Sequence, residues 1–316
     1  MVSSLKEAQK KRIDVEEIYL YDNGVMFKEG NVAPKGTADE LLAAAIDMYK
    51  EMSGDTAEFI SFMQDNGLYD LLSKEGKAPG GYCTEFADYK APFIFSNFNG
   101  TSDDVDVLTH EAGHAFAYYV AARKGIIPDY TSPTIEACEI HSMSMEFLTA
   151  PWHERFFGEN TARYEYYHAA DALNFIPYGC MVDEFQHIMY ENENLTSEER
   201  NGVWLELEKK YRPHLNLSDM PFYGRGGGWQ RQLHIYLYPL YYIDYCMAQT
   251  VAFQFYAESI KDWKKAFNKY LAFVNGAGTK TFEELVKGAD MSLPYEKGCL
   301  ASTAQTITEK LTEFKF

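Results

Sequence analysis

Apolar residues recur at intervals of three and four along most of this chain, a spacing that predicts a protein built mainly from helices. Thr37 followed by Ala38-Asp39-Glu40 reads as a cap with a negatively charged first turn, opening a helix that runs through Met52. Shorter helical patterns follow at 55–65 and 67–74, and the run ends in the turn-forming stretch KEGKAPGG. The texture then changes. Between Gly80 and Asn99 the chain reads GYCTEFADYKAPFIFSNFN, rich in aromatics, broken by Pro92 and closed by Asn99-Gly100. One or two strands or extended segments are expected there.

Helical spacing returns at Thr101 or Ser102, where Asp103 and Asp104 open a segment reaching about Arg123, stopped by Gly125-Ile126-Ile127-Pro128. Pro133 opens the next helix, which carries Glu136, Glu139 and Glu146. Further helical patterns lie at 159–192, 196–211, 236–260, 263–273, 281–288 and 295–313. There is no internal repeat and no low-complexity linker. Residues 1–316 are therefore expected to form a single, mainly α domain, multi-helical, with a small β element just ahead of the helix that starts near residue 102.

Composition narrows the function. The net charge of −18 argues against nucleic acid, which needs a basic footprint. The five cysteines, Cys83, Cys138, Cys180, Cys246 and Cys299, are scattered and form no C-x-x-C pair. Neither a thiolate zinc site nor a disulfide framework is expected, and a reducing, cytoplasmic setting fits. The N-terminus MVSSLKEAQKKRIDVEE has basic residues but no apolar run after them, unlike a signal peptide. The stretch Leu233 to Tyr256 contains His234, Asp244, Gln249 and Gln254 and is interrupted by Pro239, so it reads as a helix buried in protein and not as a membrane span.

The decisive chemistry lies at His110-Glu111-Ala112-Gly113-His114. On a helix, residues four apart stand one above the other, so His110 and His114 can grip one metal ion. Glu111 beside them can take a proton from a metal-bound water. Two imidazoles, one carboxylate and an open position make a hydrolytic zinc site, with one ion per chain. A solvated helix face with two chance histidines is the bland reading. It is weakened by the apolar neighbours Val107, Ala115 and Tyr118, because charged groups on a buried stripe are costly without a metal. Spacing alone leaves Glu136 and Glu139, three residues apart, as competitors for the third ligand position. Glu146 lies seven residues beyond Glu139 on the same face, where it can accept a hydrogen bond from the far nitrogen of a liganding histidine. His141 and Cys138 read as packed neighbours.

Three blocks in this order resemble the thimet-oligopeptidase family of zinc peptidases, and its oligoendopeptidase F branch most closely. They are PFIFSNFNGTSDDVDVLTHEAGHAFA at 92–117, SPTIEACEIHSMSMEFLTAPW at 132–152, and HIYLYPLYYIDYCMAQTVAFQFY at 234–256. The resemblance implies Glu139 as the third metal ligand. It also implies that a histidine and tyrosines of the last block reach over the metal to the substrate. His234 would bind substrate or stabilise the oxyanion, and Tyr242 and Tyr245 would donate hydroxyls to the tetrahedral intermediate. Tyr238 and Tyr241 would contact substrate, with Tyr241 an alternative to Tyr242. On one unbroken helix, Tyr238, Tyr242 and Tyr245 at i, i+4 and i+7 would share a face. A preorganised donor of this kind lowers a barrier by about 3 kcal/mol. The preceding RGGGWQRQ, Arg225 to Gln232, lacks the lysine of a phosphate loop and reads as a hinge or a flexible loop.

Family members are usually nearly twice this length, with a helical N-terminal region forming the other wall of a deep cleft, so the chain is expected to correspond to the catalytic half. The expected activity is that of a zinc metalloendopeptidase on oligopeptides, with no nucleic-acid or membrane partner and the missing N-terminal half as a potential one. A zinc carboxypeptidase is the nearest alternative, with Arg225 or Arg231 to hold a free carboxylate. A non-catalytic fragment that binds zinc and peptide is the other, although such a protein would not need Glu111.

Overall fold

The computed structural model describes residues 1–316 and is predominantly helical. In chain order, α1 (Val2–Ile13) and the two-residue β1 (Ile18–Tyr19) precede α2 (Ala38–Met52) and α3 (Gly54–Asp65). Three strands follow: β2 (Tyr69–Leu72), β3 (Tyr82–Phe86) and β4 (Ala91–Phe98). Then come α4 (Asp103–Arg123), the single turn α5 (Pro128–Thr131), α6 (Ile135–Leu148), the short α7 (Glu154–Phe157), α8 (Thr161–Glu191) and α9 (Ser197–Tyr211). After the two-residue β5 (Leu215–Asn216), the remainder is α10 (His234–Leu237), α11 (Tyr242–Ser259), α12 (Trp263–Gly276), α13 (Phe282–Gly288) and α14 (Cys299–Glu313). No helix is long and apolar enough to cross a membrane.

Several helix starts follow directly from local chemistry. Thr37 and Glu40, Thr196 and Glu199, and Thr281 and Glu284 each form a reciprocal capping box. Such a cap satisfies orphan backbone donors and is worth about 1 kcal/mol.

The chain divides into two compact units, each assembled from separated segments. One comprises Val32–Glu165, Ala248–Ile307 and Phe314–Phe316; the other comprises Met1–Asn31, Tyr166–Met247 and Thr308–Glu313.

The unit containing Val32–Glu165 holds the three-stranded sheet, ordered β2-β4-β3, with β2 parallel and β3 antiparallel to the central β4. Along β4, Ile94, Ser96 and Phe98 are buried while Phe93, Phe95 and Asn97 are less so, the period-two pattern of a strand with one covered face. Pro92 is tolerated in this central strand because β2 pairs only with Ile94 and beyond, so the proline sits past the end of that partner. Residues 67–74 read as helical from the sequence but contain β2, because pairing with β4 captures Tyr69–Leu72. Past β4, the Asn99 and Gly100 N–H groups donate to the two carboxylate oxygens of Asp104 at 2.9 and 2.8 Å. This clamp fixes the turn from sheet to α4, and its negative charge suits the helix N-terminus. Aromatic packing fills the core: Phe59 contacts Phe116 and Tyr119, and Phe147 stacks on Tyr256. Fully burying each such ring contributes about 2–3 kcal/mol. The Trp263 indole donates to the Leu148 carbonyl at 2.7 Å, tying α12 to the end of α6.

The other unit has its core on α8 and α9, where Met181, Val182, Phe185, Trp204 and Leu207 pack with Tyr242. The segment 236–260 is not one helix. Pro239 and Leu240, the latter at φ +62°, separate α10 from α11, and the freed Leu240 N–H donates to Gln186 Oε1 at 2.8 Å. Within RGGGWQRQ the three glycines are packed. Gly226 (φ +87°) lies where a Cβ would come within 2.0 Å of the Asn201 carbonyl oxygen, and Gly227 and Gly228 are buried.

Candidate active site

Helices α4 and α6 create the site by unusually close approach. A Cβ on Gly113 would stand 2.6 Å from both the His141 carbonyl oxygen and the Ser142 Cα, so only glycine lets the two backbones meet here. The glycine between the two motif histidines is thus a packing requirement. Its consequence is that Glu139 of α6 faces His110 and His114 of α4.

The distances match a metal centre. Glu139 Oε2 lies 3.3 Å from His110 Nε2 and 3.6 Å from His114 Nε2. Ligand atoms on a tetrahedron with metal bonds of about 2.0–2.1 Å are separated by about 3.3 Å. All three donor atoms lie within 4.8 Å of one another. The set of two imidazoles and a carboxylate also has the right chemistry for zinc, so the residues fit the ion.

Surrounding groups hold these donors in place. His110 Nδ1 is 2.6 Å from Glu146 Oε1, and the Ser142 hydroxyl donates to Glu139 Oε2 at 3.3 Å. Burial alone would lower the His110 pKa, but its contacts with Glu139 and Glu146 outweigh it and hold the ring well above the ordinary histidine range. Burial would likewise raise Glu139, and the two imidazoles overturn that, keeping its carboxyl well below the usual carboxylate range. Without metal the cluster is therefore a carboxylate neutralised by a proton, which a divalent cation would displace.

Glu111 is 6% exposed and interacts electrostatically with His110, His114 and Glu139. Burial raises its pKa above the usual glutamate value, while the two histidines and a hydrogen bond from the Cys83 backbone N–H act in the opposite direction. Strand β3, which carries Cys83, crosses at this point. A Cβ on Gly81, just ahead of β3, would meet Val107 at 2.7 Å and Glu111 Oε1 at 3.7 Å.

The other acidic and sulfur candidates fall outside the trio. Glu136 does not belong to the cluster. His141 is buried with its ring edge-on to Phe273, and burial takes its pKa down to about 3, so it is a neutral core residue. The Cys138 thiol points at the Pro133 carbonyl, and burial raises its pKa to about 12, far from a thiolate ligand.

The sequence pattern of peptidase family M3 matches residues 56–304. The chain belongs to that family. Within peptidase family M3 it falls in the oligoendopeptidase F branch. It is 23% identical to "Oligopeptidase PepF" of Bacillus subtilis (strain 168) over 316 residues, covering 97% of this chain and 46% of that protein. A solved structure described as "putative Oligoendopeptidase F" superposes with a TM-score of 0.96 at 50% identity, covering 99% of this chain and 55% of that one. PZ peptidase A, solved with an inhibitor, gives a TM-score of 0.96 at 49% identity, covering 99% and 56%. The chain spans about half the length of the curated relatives it matches.

The remaining M3 candidates lie in the other compact unit and are described within it. The His234 ring is surrounded by Tyr242, Tyr245 and Tyr241, at centroid distances of 5.0, 5.8 and 5.9 Å. Tyr241 and Tyr245 are half-buried with rings 4.8 Å apart, whereas Tyr242 belongs to the core, where burial raises its pKa. Tyr238 is the correction. It lies in the break before α11, so it cannot share one helical face with Tyr242 and Tyr245, and it is 62% exposed. Its ring meets that of Tyr241 at 6.2 Å, and its backbone N–H donates to the His234 carbonyl at 2.9 Å. Of the two arginines weighed for a carboxypeptidase, Arg225 lies over the Phe222 ring and Arg231 donates to the Tyr223 hydroxyl at 3.2 Å.

Proposed function

We propose that this chain carries the catalytic domain of a zinc metalloendopeptidase that hydrolyses internal peptide bonds of oligopeptides. The observation that carries the reading is the gathering of three donor atoms, with Glu139 Oε2 3.3 and 3.6 Å from the Nε2 atoms of His110 and His114, close to the edge of a zinc tetrahedron, and the Glu111 carboxyl beside them. Zinc held there would acidify a water and polarise the scissile carbonyl.

The chain's own residues account for the rest of the reaction. Glu111 takes a proton from the attacking water and returns it to the amine that leaves, so one water is consumed and an acid and an amine are formed. Glu146 orients His110 by accepting from Nδ1, leaving Nε2 as the ligand atom. His234, with hydroxyls from Tyr242 and Tyr245 and with Tyr241 beside them, donates to the oxygen on which negative charge develops. Substrate contact by Tyr238 rests on the family resemblance alone.

Strand β3 supports an extended peptide as substrate. It is an edge strand of its sheet and runs past Glu111, so a peptide could pair with its outer side. The test uses the zinc-loaded 316-residue chain and an internally quenched peptide with an amidated C-terminus. Internal cleavage is expected. Cleavage that requires a free C-terminal carboxylate would instead favour a carboxypeptidase, and zinc binding without any cleavage would favour a binding fragment.

A further inference from the structure

A short hydrogen-bonded relay stands behind His234. The Tyr178 hydroxyl donates to Gln232 Oε1 at 2.8 Å, and Gln232 Nε2 is 2.7 Å from His234 Nδ1. Each end of this amide has a fixed chemical character. The oxygen can only accept, and the NH2 can only donate.

The Tyr178 ring is fixed in place, with its hydroxyl on Gln232 Oε1. Its ring meets Trp204 and Tyr242 edge-on, at 6.5 and 5.9 Å, and the Arg212 guanidinium covers its face at 4.7 Å. Arg212 is itself anchored by both carboxylate oxygens of Glu208, which also accepts from the Trp204 indole. Burial raises the pKa of Tyr178, so its hydroxyl keeps its proton. Tyr178 and Gln232 also line a cavity of about 420 Å³. The space around the amide means that hydrogen bonds, more than steric packing, select its orientation.

We infer that Gln232 is a positioning residue for His234. With its oxygen occupied by Tyr178, it offers NH2 to His234 Nδ1, so the neutral ring carries its proton on Nε2. This rests on the proposed role of His234 as a donor to the oxygen on which negative charge develops, and it specifies which nitrogen performs that role. Nε2–H is a donor, the character required by a carbonyl oxygen gaining negative charge. The opposite tautomer would present a lone pair there and repel that oxygen.

The test is ¹⁵N NMR of the histidine rings in the zinc-loaded 316-residue chain, with His234 assigned by its loss in His234→Gln. The wild type is expected to show a pyridine-type Nδ1 and a pyrrole-type Nε2. In Gln232→Glu the carboxylate accepts from Nδ1–H, so the pattern should reverse. Tyr178→Phe, which removes only a hydroxyl, should weaken the wild-type preference and serves if the glutamate variant does not fold. A pyrrole-type Nδ1 in the wild type, or an unchanged pattern in Gln232→Glu, overturns the inference. Hydrolysis separates it from the reading beneath it. If the tautomer reverses, kcat should fall about a hundredfold with little change in KM. A reversed tautomer with an unchanged rate upholds Gln232 as the positioning residue and removes His234 from the reaction.

Discussion

Glu146 Oε1 stands 2.6 Å from His110 Nδ1, and this contact decides which nitrogen of His110 is left for a metal. With Nδ1–H donated to the carboxylate, Nε2 is the nitrogen that faces Glu139 at 3.3 Å, and it would offer its lone pair once a cation displaced the proton held between them. The contact also gives the imidazole more electron density to offer a cation.

Glu146→Gln keeps a hydrogen-bond acceptor of the same shape but removes its charge. Zinc affinity should fall by about 10- to 100-fold, the usual effect of losing a ligand's orienting partner. Competition against a chelator of known affinity measures this. An unchanged affinity would show that Glu146 only fills space.

Gly113→Ala tests the close contact between α4 and α6. At an ordinary exposed helix position this change would stabilise by about 1 kcal/mol. Here the added methyl meets backbone atoms at 2.6 Å, which cannot swing aside like a side chain. Net destabilisation of about 1–3 kcal/mol is expected, with weaker zinc binding because Glu139 moves with α6. Denaturant midpoints and zinc titration report the two effects. A stabilised variant with normal zinc affinity would contradict the account of how the ligands are brought together.

His214 gives a pH dependence in the other compact unit. Burial, reinforced by Lys6 and Arg212, lowers its pKa to about 4 from an ordinary 6.5. The unfolded chain therefore takes up a proton near pH 6.5 that the folded chain refuses until about pH 4. Unfolding binds protons in that window, so stability is lost as pH falls from 6.5 to 4. His214→Gln removes this contribution. Between pH 7 and pH 5 the wild type should lose more stability than the variant, measured by denaturant midpoints. Equal losses would remove His214 from the pH response.

Much of this architecture was legible in local patterns. Thr37 with Glu40 marks the start of α2 because a cap acts over one turn and needs no tertiary partner, and the acidic first turn Asp103-Asp104 marks the start of α4. The spacing of His110 and His114 was equally local. Glu139 was not resolved from Glu136 by spacing, since the choice depends on how α6 lies against α4, and that is set by Gly113. Residues 67–74 carry a helical pattern, but a short apolar run such as Tyr69–Leu72 becomes a strand when a partner such as β4 captures it. Pro239 was visible, but its effect on Tyr238 was not, because the break also needs Leu240 in a left-handed conformation. The two compact units were hidden for a broader reason: each is assembled from segments far apart in the chain.

The most direct test of the proposed hydrolysis compares the wild type with Glu111→Gln at matched zinc content, using an internally quenched peptide. Glu111 lies beside the ligand trio but outside it, so the variant should retain one zinc per chain. It should nonetheless lose hydrolysis by at least about a hundredfold, since the amide cannot accept the proton. A zinc-loaded Glu111→Gln that cleaves the peptide at the wild-type rate would contradict the account.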